Sequence, residues 1–489
     1  VRRLDFPQTH CRGAFARRDV TPPVGIYHRM WGAATHDRST GVHRPLTATA
    51  LALAPVDPRG SDAAAPQLLV GIDHCLLWTD EMNALRRAVC GATQLGPAQL
   101  HISFSHTHAA GLMDPARADL PGGELIAPYL EYLAQRVADA VAEALERLQP
   151  ARIVYEAGVC RLAAHRDYWD AQQQAFVCGF NPDFHPAGNP SPTVLVARVS
   201  DEQGRTLGTI VNYACHPTTL AWDNTLISPD YVGAMREIVE NATGAPCLFL
   251  QGASGDLGPR EGFVGDVEVA DRNGRQLGHA AMAAIERLPP SGMCYVYAGA
   301  VISGATIGTW RYEPLSAEAQ HSASRWQIKH LEIPLALRGD LPDRGQTEDQ
   351  LATWAAAEKA ALAAGHEALA RDARAHLERT RRQLARLRAL PAGPSVPLAV
   401  TLWQLGDALW VTLEGEHYQL LQNTLRGRFH QGPVIVATLT GGWRPGYVPT
   451  ADTYGRGIYQ ESIAVVAPGS LEQIIDVISD ALSTMLKRW

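Results

Sequence analysis

The sequence predicts a mixed α/β fold, with sheets flanked by helices, chemistry on loops at strand ends, and a long helical insert. Three observations carry this. The apolar strand LHISFSH at 100–106 is followed by an amphipathic helical stretch at 126–148, and strand pattern returns in ARIVYEAGVCRLA. Strand, helix and strand in that order build α/β or α+β cores. A second such unit begins near Ser191, with TVLVARVSDEQG and GRTLGTIVNYACH as strands. Residues 350–390 are rich in Ala, Leu, Arg and Glu and read as one long helix or a helical hairpin broken near Gly365.

The remaining elements follow in order. DVTPPVG is a turn, and LTATALALAPV and PQLLVGIDHCLLW are strands, the second carrying Asp73 and His74. A helix from Asp80 to about Val89 is expected, capped by Asp80. Pro229 and Asp230 open another helix, which stops at Gly244. PCLFLQGASGDLGP is a strand entering a Gly-rich loop, and 266–288 is a further helix. After the linker PAGPSVP, LAVTLWQLGDALWVTLEG reads as two strands around a turn at Gly406 and Asp407. PVIVATLTGG is the last strand, and the helix 470–488 closes the chain. No internal repeat is evident. The expected division is 1–300 and 396–489 as two parts of one catalytic domain, with 301–395 as a helical insert or arm. That arm either packs over its own domain or meets a second copy in a homo-oligomer.

Composition narrows the function. The chain has 489 residues, 46% hydrophobic and 19% charged, which suits a globular protein of ordinary composition. A net charge of -7 argues against nucleic-acid binding, which favours a basic surface. The eight cysteines form no CxxC pair and mostly sit among apolar residues, so they read as buried thiols; disulfides would need an oxidising compartment. No run of about 18 apolar residues exists, so stable membrane insertion is not expected. No signal peptide is visible at the start, so the expected location is cytoplasmic, unless a signal was removed before Val1.

Four segments carry candidate chemistry, each at or just beyond a strand end, where α/β sites are usually built. SHTH at 105–108 brings two imidazoles together, and imidazole is an ordinary zinc ligand. His216 lies in NYACHPTTL, EGEH spans 414–417, and GGWRPGYVPTADTYGRGIYQES is aromatic and Gly-rich. Taken singly, each also reads as a surface or structural loop.

Taken in order, these segments resemble the neutral/alkaline non-lysosomal ceramidase family. TPPVGIYHRMWG and HRPLTATALAL are similar to its opening segments, and FSHTHAAG to its hallmark His-Thr-His loop. NYACHPTTL is similar to its second His motif, LFLQGASGDLGPR to its Gly-Asp loop, LEGE to its Pro-Gly-Glu segment, and GYVPT to its late tyrosine motif. The resemblance implies a zinc site made of His106, His216, Glu416 and the unusual ligand Tyr447. It implies that His108 faces the scissile carbonyl, that Tyr454 is a substrate-side tyrosine and that Arg166 lies close by. Asp256 is expected to orient a ligand or to cap a turn. Ser254 either bonds within the site or serves the loop.

Those residues suit a zinc-dependent hydrolase that cleaves a carbon–nitrogen amide bond with metal-activated water. Two features separate the chain from the family. Gly258 stands where ceramidases carry a serine, and the sequence stops at Trp489 without their terminal immunoglobulin-like domain. The expected substrate is therefore a small or polar N-acyl compound, with the loop around Trp310 and Tyr312 over its pocket and Arg311 or Arg325 binding an anionic group. The rival readings are a metal-dependent esterase, lactonase or lyase, a non-catalytic metal-binding protein, and a true ceramidase.

Overall fold

A computed structural model describes residues 2–57, 65–182 and 189–487. Its centre is an eight-stranded sheet in the order Cys247–Gln251, Thr206–Tyr213, Thr193–Asp201, Gln149–Val159, Gln8–Asp19, Thr47–Ala54, Gln67–Ile72, Leu100–Phe104. The two outermost pairs are parallel and every inner pair is antiparallel. Parallel neighbours need a crossover, and a helix supplies it on each side: Thr79–Thr93 on one, Tyr231–Thr243 on the other.

This order hides a duplication that the sequence does not announce. Short strands in connecting loops aside, residues 8–146 run strand, strand, strand, helix, strand, helix, and residues 149–285 repeat that order. The two units join where their first strands, Gln8–Asp19 and Gln149–Val159, pair antiparallel.

Four layers bury the apolar residues. Helices Thr79–Thr93 and Ile126–Glu146 pack Met82, Leu85, Tyr129 and Leu133 against Leu68, Val70 and Ile102. Helices Tyr231–Thr243 and Val267–Ile285 cover the second unit with Met235, Val239, Leu277 and Ala281. The other face of the sheet packs Phe15, Leu51, Ile153 and Leu250 on Trp403, Trp410 and Ile435. Those last residues belong to a second, four-stranded sheet: Trp326–Ala336, Ser395–Leu405, Ala408–Leu413 and Val434–Ala437. Helices Leu420–Arg428 and Ser470–Leu486 close its far side through Leu421, Leu425, Ile474 and Ile478. Between the sheets, buried Asn212 donates to Leu250 O at 3.0 Å and Val436 O at 2.8 Å, so its amide is satisfied by both.

Several expectations are refined. The helix around 80–89 runs Thr79–Thr93, with Trp78 at its cap; Asp80 lies in the first turn, where it favours the positive end of the dipole without capping. The closing helix spans Ser470–Leu486, and Arg488 lies outside the described residues. Residues 301–336 are not helical arm. Met293–Ile302 and Thr306–Pro314 form an antiparallel hairpin, and Trp326–Ala336 is a strand of the second sheet. Alternating apolar residues in the two strands satisfy a sheet face, and only the short helix Ala317–Ala323 lies between them.

The arm itself is a hairpin of Arg344–Ala363 and Glu367–Ala389, with Gly365 at φ 70° between them. It folds back over its own chain. Ala375 packs so close to Gly32 that a Cβ there would lie 3.1 Å from the Ala375 Cβ. Fully buried Arg117 reaches Glu378 at 2.9 Å.

Candidate metal centre

The segment after Val434–Ala437 ties the edges of the main sheet together. Thr438 N donates to Gln251 O at 3.0 Å, Thr440 bridges to Ser103, and Gly441 N donates to Ile102 O at 2.8 Å. The loops leaving the strands Leu100–Phe104 and Thr206–Tyr213 thereby meet. His106 leaves the first strand with φ 70°, a left-handed conformation that costs a non-glycine residue about 1 kcal/mol or more and is found preferentially at functional sites. Glu416 and Tyr447 arrive as register partners in a short parallel ladder, Glu416–His417 beside Tyr447–Val448.

These four residues converge. His106 Nε2 and His216 Nε2 are 2.9 Å apart; Glu416 Oε2 lies 3.2 Å from the first and 3.3 Å from the second. Tyr447 OH is 3.3 Å from His216 Nε2. Both imidazoles have their other nitrogen committed: His106 Nδ1 donates to Cys75 O at 2.7 Å, and His216 Nδ1 donates to Ser254 O at 3.1 Å. With neither Nε2 protonated, that fixes the tautomer of each ring and leaves two Nε2 lone pairs facing each other beside a carboxylate. Such an arrangement repels itself unless a cation sits in its midst. Ligands about 2.0–2.1 Å from a tetrahedral zinc lie roughly 3.3 Å from one another, so the spacing fits. The cluster can hold a metal ion, and its nitrogen and oxygen donors suit zinc. A second grouping of Cys75, His106 and His108 is a weaker chelator, because its Cys75 thiol approaches the His106 nitrogen already bound to a carbonyl.

Without a metal, burial pulls His106 down, but Cys75 and Glu416 outweigh it and raise the ring well above its ordinary value, so a proton on that ring stands in for the cation the cluster needs. Burial pushes the Glu416 carboxyl up, but His106 and His216 outweigh it and hold the group well below its ordinary value, as a carboxylate. Burial, then the nearby Arg166 and His106, push His216 down to about 3. His108 is also held well below its usual value, by burial and then by the two neighbouring imidazoles, so it is neutral near pH 7. Arg166 donates to Tyr447 OH at 2.9 Å and to Gly255 O at 2.6 Å, with its guanidinium over the Tyr447 ring.

A cavity of about 410 Å³ opens beside the cluster, with His108, Arg166 and Tyr447 in its wall. Trp31, Trp222 and Phe263 form an aromatic side, with Trp31 edge-on to both others. The arm forms the opposite side. The His108 Nε2, Trp31 Nε1 and Thr218 Oγ1 atoms are buried there without a hydrogen-bond partner.

Other expected residues lie elsewhere. The Tyr454 hydroxyl donates to Val466 O at 2.8 Å beside Arg338, outside the cavity wall; the tyrosine that lines the cavity is Tyr459, 6.0 Å ring to ring from Tyr447. Arg311 sits on an exposed strand of the 293–314 hairpin, paired with Glu313 at 2.6 Å. Arg325 lines a separate hollow with Gln404 and Asp407. Neither arginine lines the cavity, because the stretch expected to cover it forms a hairpin strand and the short helix Ala317–Ala323 instead. The Asp256 carboxylate accepts from Gln419 N at 2.8 Å and faces His165, so it bonds to neither convergent imidazole. Ser254 contributes its carbonyl to His216, while its hydroxyl accepts from Gln251. Sequence reasoning passed over the residues that line the cavity from the arm, Ala375, Arg379, Arg382 and Arg386; their spacing on one helical face was the available signal.

Comparison with known proteins places this geometry. No protein-family model matches the chain. Neutral ceramidase B of Dictyostelium discoideum is 23% identical over 283 residues, 53% of this chain and 38% of that protein. The chain thus matches well under half the length of that relative. The crystal structure of neutral ceramidase from Pseudomonas aeruginosa superposes with a TM-score of 0.64 at 14% identity, covering 99% of this chain and 75% of that one. A ceramidase complexed with C2 gives 0.64 at 13% identity, covering 99% and 76%. The chain has a ceramidase-like fold and is a distant homologue of the neutral ceramidases, carrying a cluster able to chelate a metal. No helix among the described residues is long and apolar enough to cross a membrane.

Proposed function

We propose that this protein is a zinc-dependent amidohydrolase acting on a small or polar N-acyl compound. The observation that carries the reading is the pair of Nε2 lone pairs, 2.9 Å apart and flanked by a carboxylate, with both Nδ1 atoms committed to carbonyls. A zinc ion held by His106, His216, Glu416 and Tyr447 supplies Lewis acidity and a nucleophilic water at neutral pH.

The chain's own groups then have defined tasks. Cys75 O and Ser254 O hold the two ligand imidazoles in their tautomer and orientation. Arg166 holds the Tyr447 oxygen toward His216. His108, neutral and with Nε2 unpartnered at the cavity wall, donates a hydrogen bond to the oxyanion that develops on the scissile carbonyl, and the leaving nitrogen takes up the proton that the attacking water releases. Tyr459 takes the substrate-side place that Tyr454 does not occupy. The arm and the aromatic wall exclude bulk water, which strengthens each of these interactions. Domain division follows the same logic: 1–300 and 396–489 supply the ligands, and the arm closes the cavity.

A second reading has one observation behind it. Position 258, where ceramidases carry serine, is glycine, and a side chain there would lie 3.7 Å from Thr218 Oγ1 and 3.9 Å from Arg166 Cδ. With no hydroxyl at that place, an esterase or lactonase on the same scaffold is the rival. Product analysis separates them. Incubating the zinc-loaded protein with matched N-acyl and O-acyl compounds, with His106→Ala as the blank, should release amine and carboxylate in equal amounts. Cleavage of the esters alone would overturn the amidase reading.

A further inference from the structure

We infer that the substrate carries a carboxylate, and that Arg382 and Arg386 of the arm receive it while the amide faces His108. This rests on the hydrolase reading and adds the substrate's class to it.

The inference begins with how the arm treats its other cations. Arg374 pairs with Glu358 at 3.0 Å, Arg381 with Glu378 at 2.6 Å, and Arg388 with Glu348 at 2.8 Å. Arg117, which docks against the arm, pairs with Glu378 and Asp114. Arg371 is exposed and solvated. The cavity side is different. Arg379, Arg382 and Arg386 follow Ala375 at helical spacing and share its face, and all four line the cavity. Arg379 is solvent-exposed at the mouth. Arg382 and Arg386 are half-buried, and among the described residues no carboxylate pairs with either. The guanidinium of Arg382 spends one nitrogen on Met30 O, while its Nε is buried without a partner.

Removing a guanidinium from water without an anion is costly, and proteins normally answer that cost with a carboxylate, as this arm does for Arg374 and Arg381. The one acid lining the cavity from the arm, Glu378, is already held by Arg117 and Arg381 and acts on Arg382 only at longer range, without an ion pair. Burial pushes Arg386 down to about 10, in contrast with Arg117 and Arg374, which their carboxylate partners hold above the ordinary arginine value. The missing counter-ion is supplied by the ligand. A planar guanidinium fork matches a carboxylate in shape as well as charge. The opposite wall of Trp31, Trp222 and Phe263 suits an apolar or aromatic portion. A volume of about 410 Å³ is at the small end of ligand pockets, which commonly span roughly 300–1,000 Å³. The fitting ligand is a compact N-acyl compound with a carboxylate close to its amide and one hydrophobic side group.

The test is calorimetric and needs no turnover. N-Acetylphenylalanine and its carboxamide, identical but for the charge, are titrated into the full chain stripped of metal, so that hydrolysis and binding of the acid to a metal play no part. The carboxylate should bind at least about tenfold more tightly than the carboxamide, as expected for a charge-assisted contact. Arg386→Met and Arg382→Met should each erase most of that preference while leaving carboxamide binding within about threefold. Arg386→Lys keeps the charge and should keep a reduced preference, which guards against a fold that merely fails. His216→Ala should leave the preference intact. Equal binding of acid and carboxamide to the parent protein, or an undiminished preference in both Met variants, would overturn the inference. A failed hydrolase reading shows instead as absent amine release with the acid preference intact.

Discussion

The two halves of the main sheet use one geometry for opposite assignments. In each, a hydrogen bond from an imidazole Nδ1 to a backbone carbonyl joins the loop after the third strand to the loop after the fourth. In residues 8–146 the imidazole, His106, follows the fourth strand and the carbonyl, Cys75, follows the third. In residues 149–285 the imidazole, His216, follows the third strand and the carbonyl, Ser254, follows the fourth. The scaffold thus delivers a pair of loops from each half, and side chains decide which loop carries the ligand. The lesson is that topology fixes where a site is built and leaves its chemistry to a few positions.

The comparison can be broken most severely at the link between halves. Asp73, just past the third strand of the first half, holds Arg236 on a helix of the second with two bonds of 2.9 and 2.8 Å. It also accepts from Thr47 N and Oγ1 at 2.9 Å. All of these groups are buried or part-buried. Asp73→Ala leaves Arg236 buried and unpaired, which should cost about 3–5 kcal/mol of stability in urea unfolding. A loss below about 1 kcal/mol would show that the two halves do not depend on this link.

A smaller effect sharpens the comparison at the second half's fourth-strand loop. Burial pushes the Asp256 carboxyl up to about 7, against about 3.9 in an unfolded chain. The folded state therefore keeps its proton longer than the unfolded state does. Stability contributed by this group is full below about pH 4 and is lost as pH rises toward 7. Asp256→Asn removes that slope. From pH 5 to pH 8 the parent should lose stability relative to the variant, measured as the difference in urea midpoints; a constant difference would contradict it. The smallest effect belongs to Gly258→Ser. Its Cβ would meet nothing closer than 3.7 Å, so thermal unfolding should report a change within about 1 kcal/mol. A larger loss would mean that glycine is required there for the backbone.

Much of this was legible beforehand, for a physical reason. Strands such as LHISF and TLGTIVNY contain no Asp, Glu, Lys or Arg because both faces are covered, and the arm declares itself by composition. His106, His216, Glu416 and Tyr447 stand within or beside those runs, so their order gave them away. Tyr454 and Tyr459 were confused because both lie in a Gly-rich loop with no period to set a register. The loop expected over the pocket at 308–326 is a strand up to Pro314 and a helix over Ala317–Ala323, which carries Arg311 and Arg325 away from the cavity lining. Arg382 and Arg386 were overlooked because a charged helix face usually means solvent; only the cavity beside it distinguishes this one. The duplication left no trace in sequence, since a repeated strand order demands repeated hydrophobicity and nothing more specific.

The central claim is that the four converging side chains bind one metal ion. The most direct test is zinc titration of the chelator-stripped protein, with elemental analysis of the product, in parallel for the parent, His106→Ala and His216→Ala. One tightly bound zinc per chain is expected in the parent and none in either variant, with all three folded by circular dichroism. A folded parent that takes up no zinc, or a His216→Ala variant that still holds one zinc as tightly, would contradict the account.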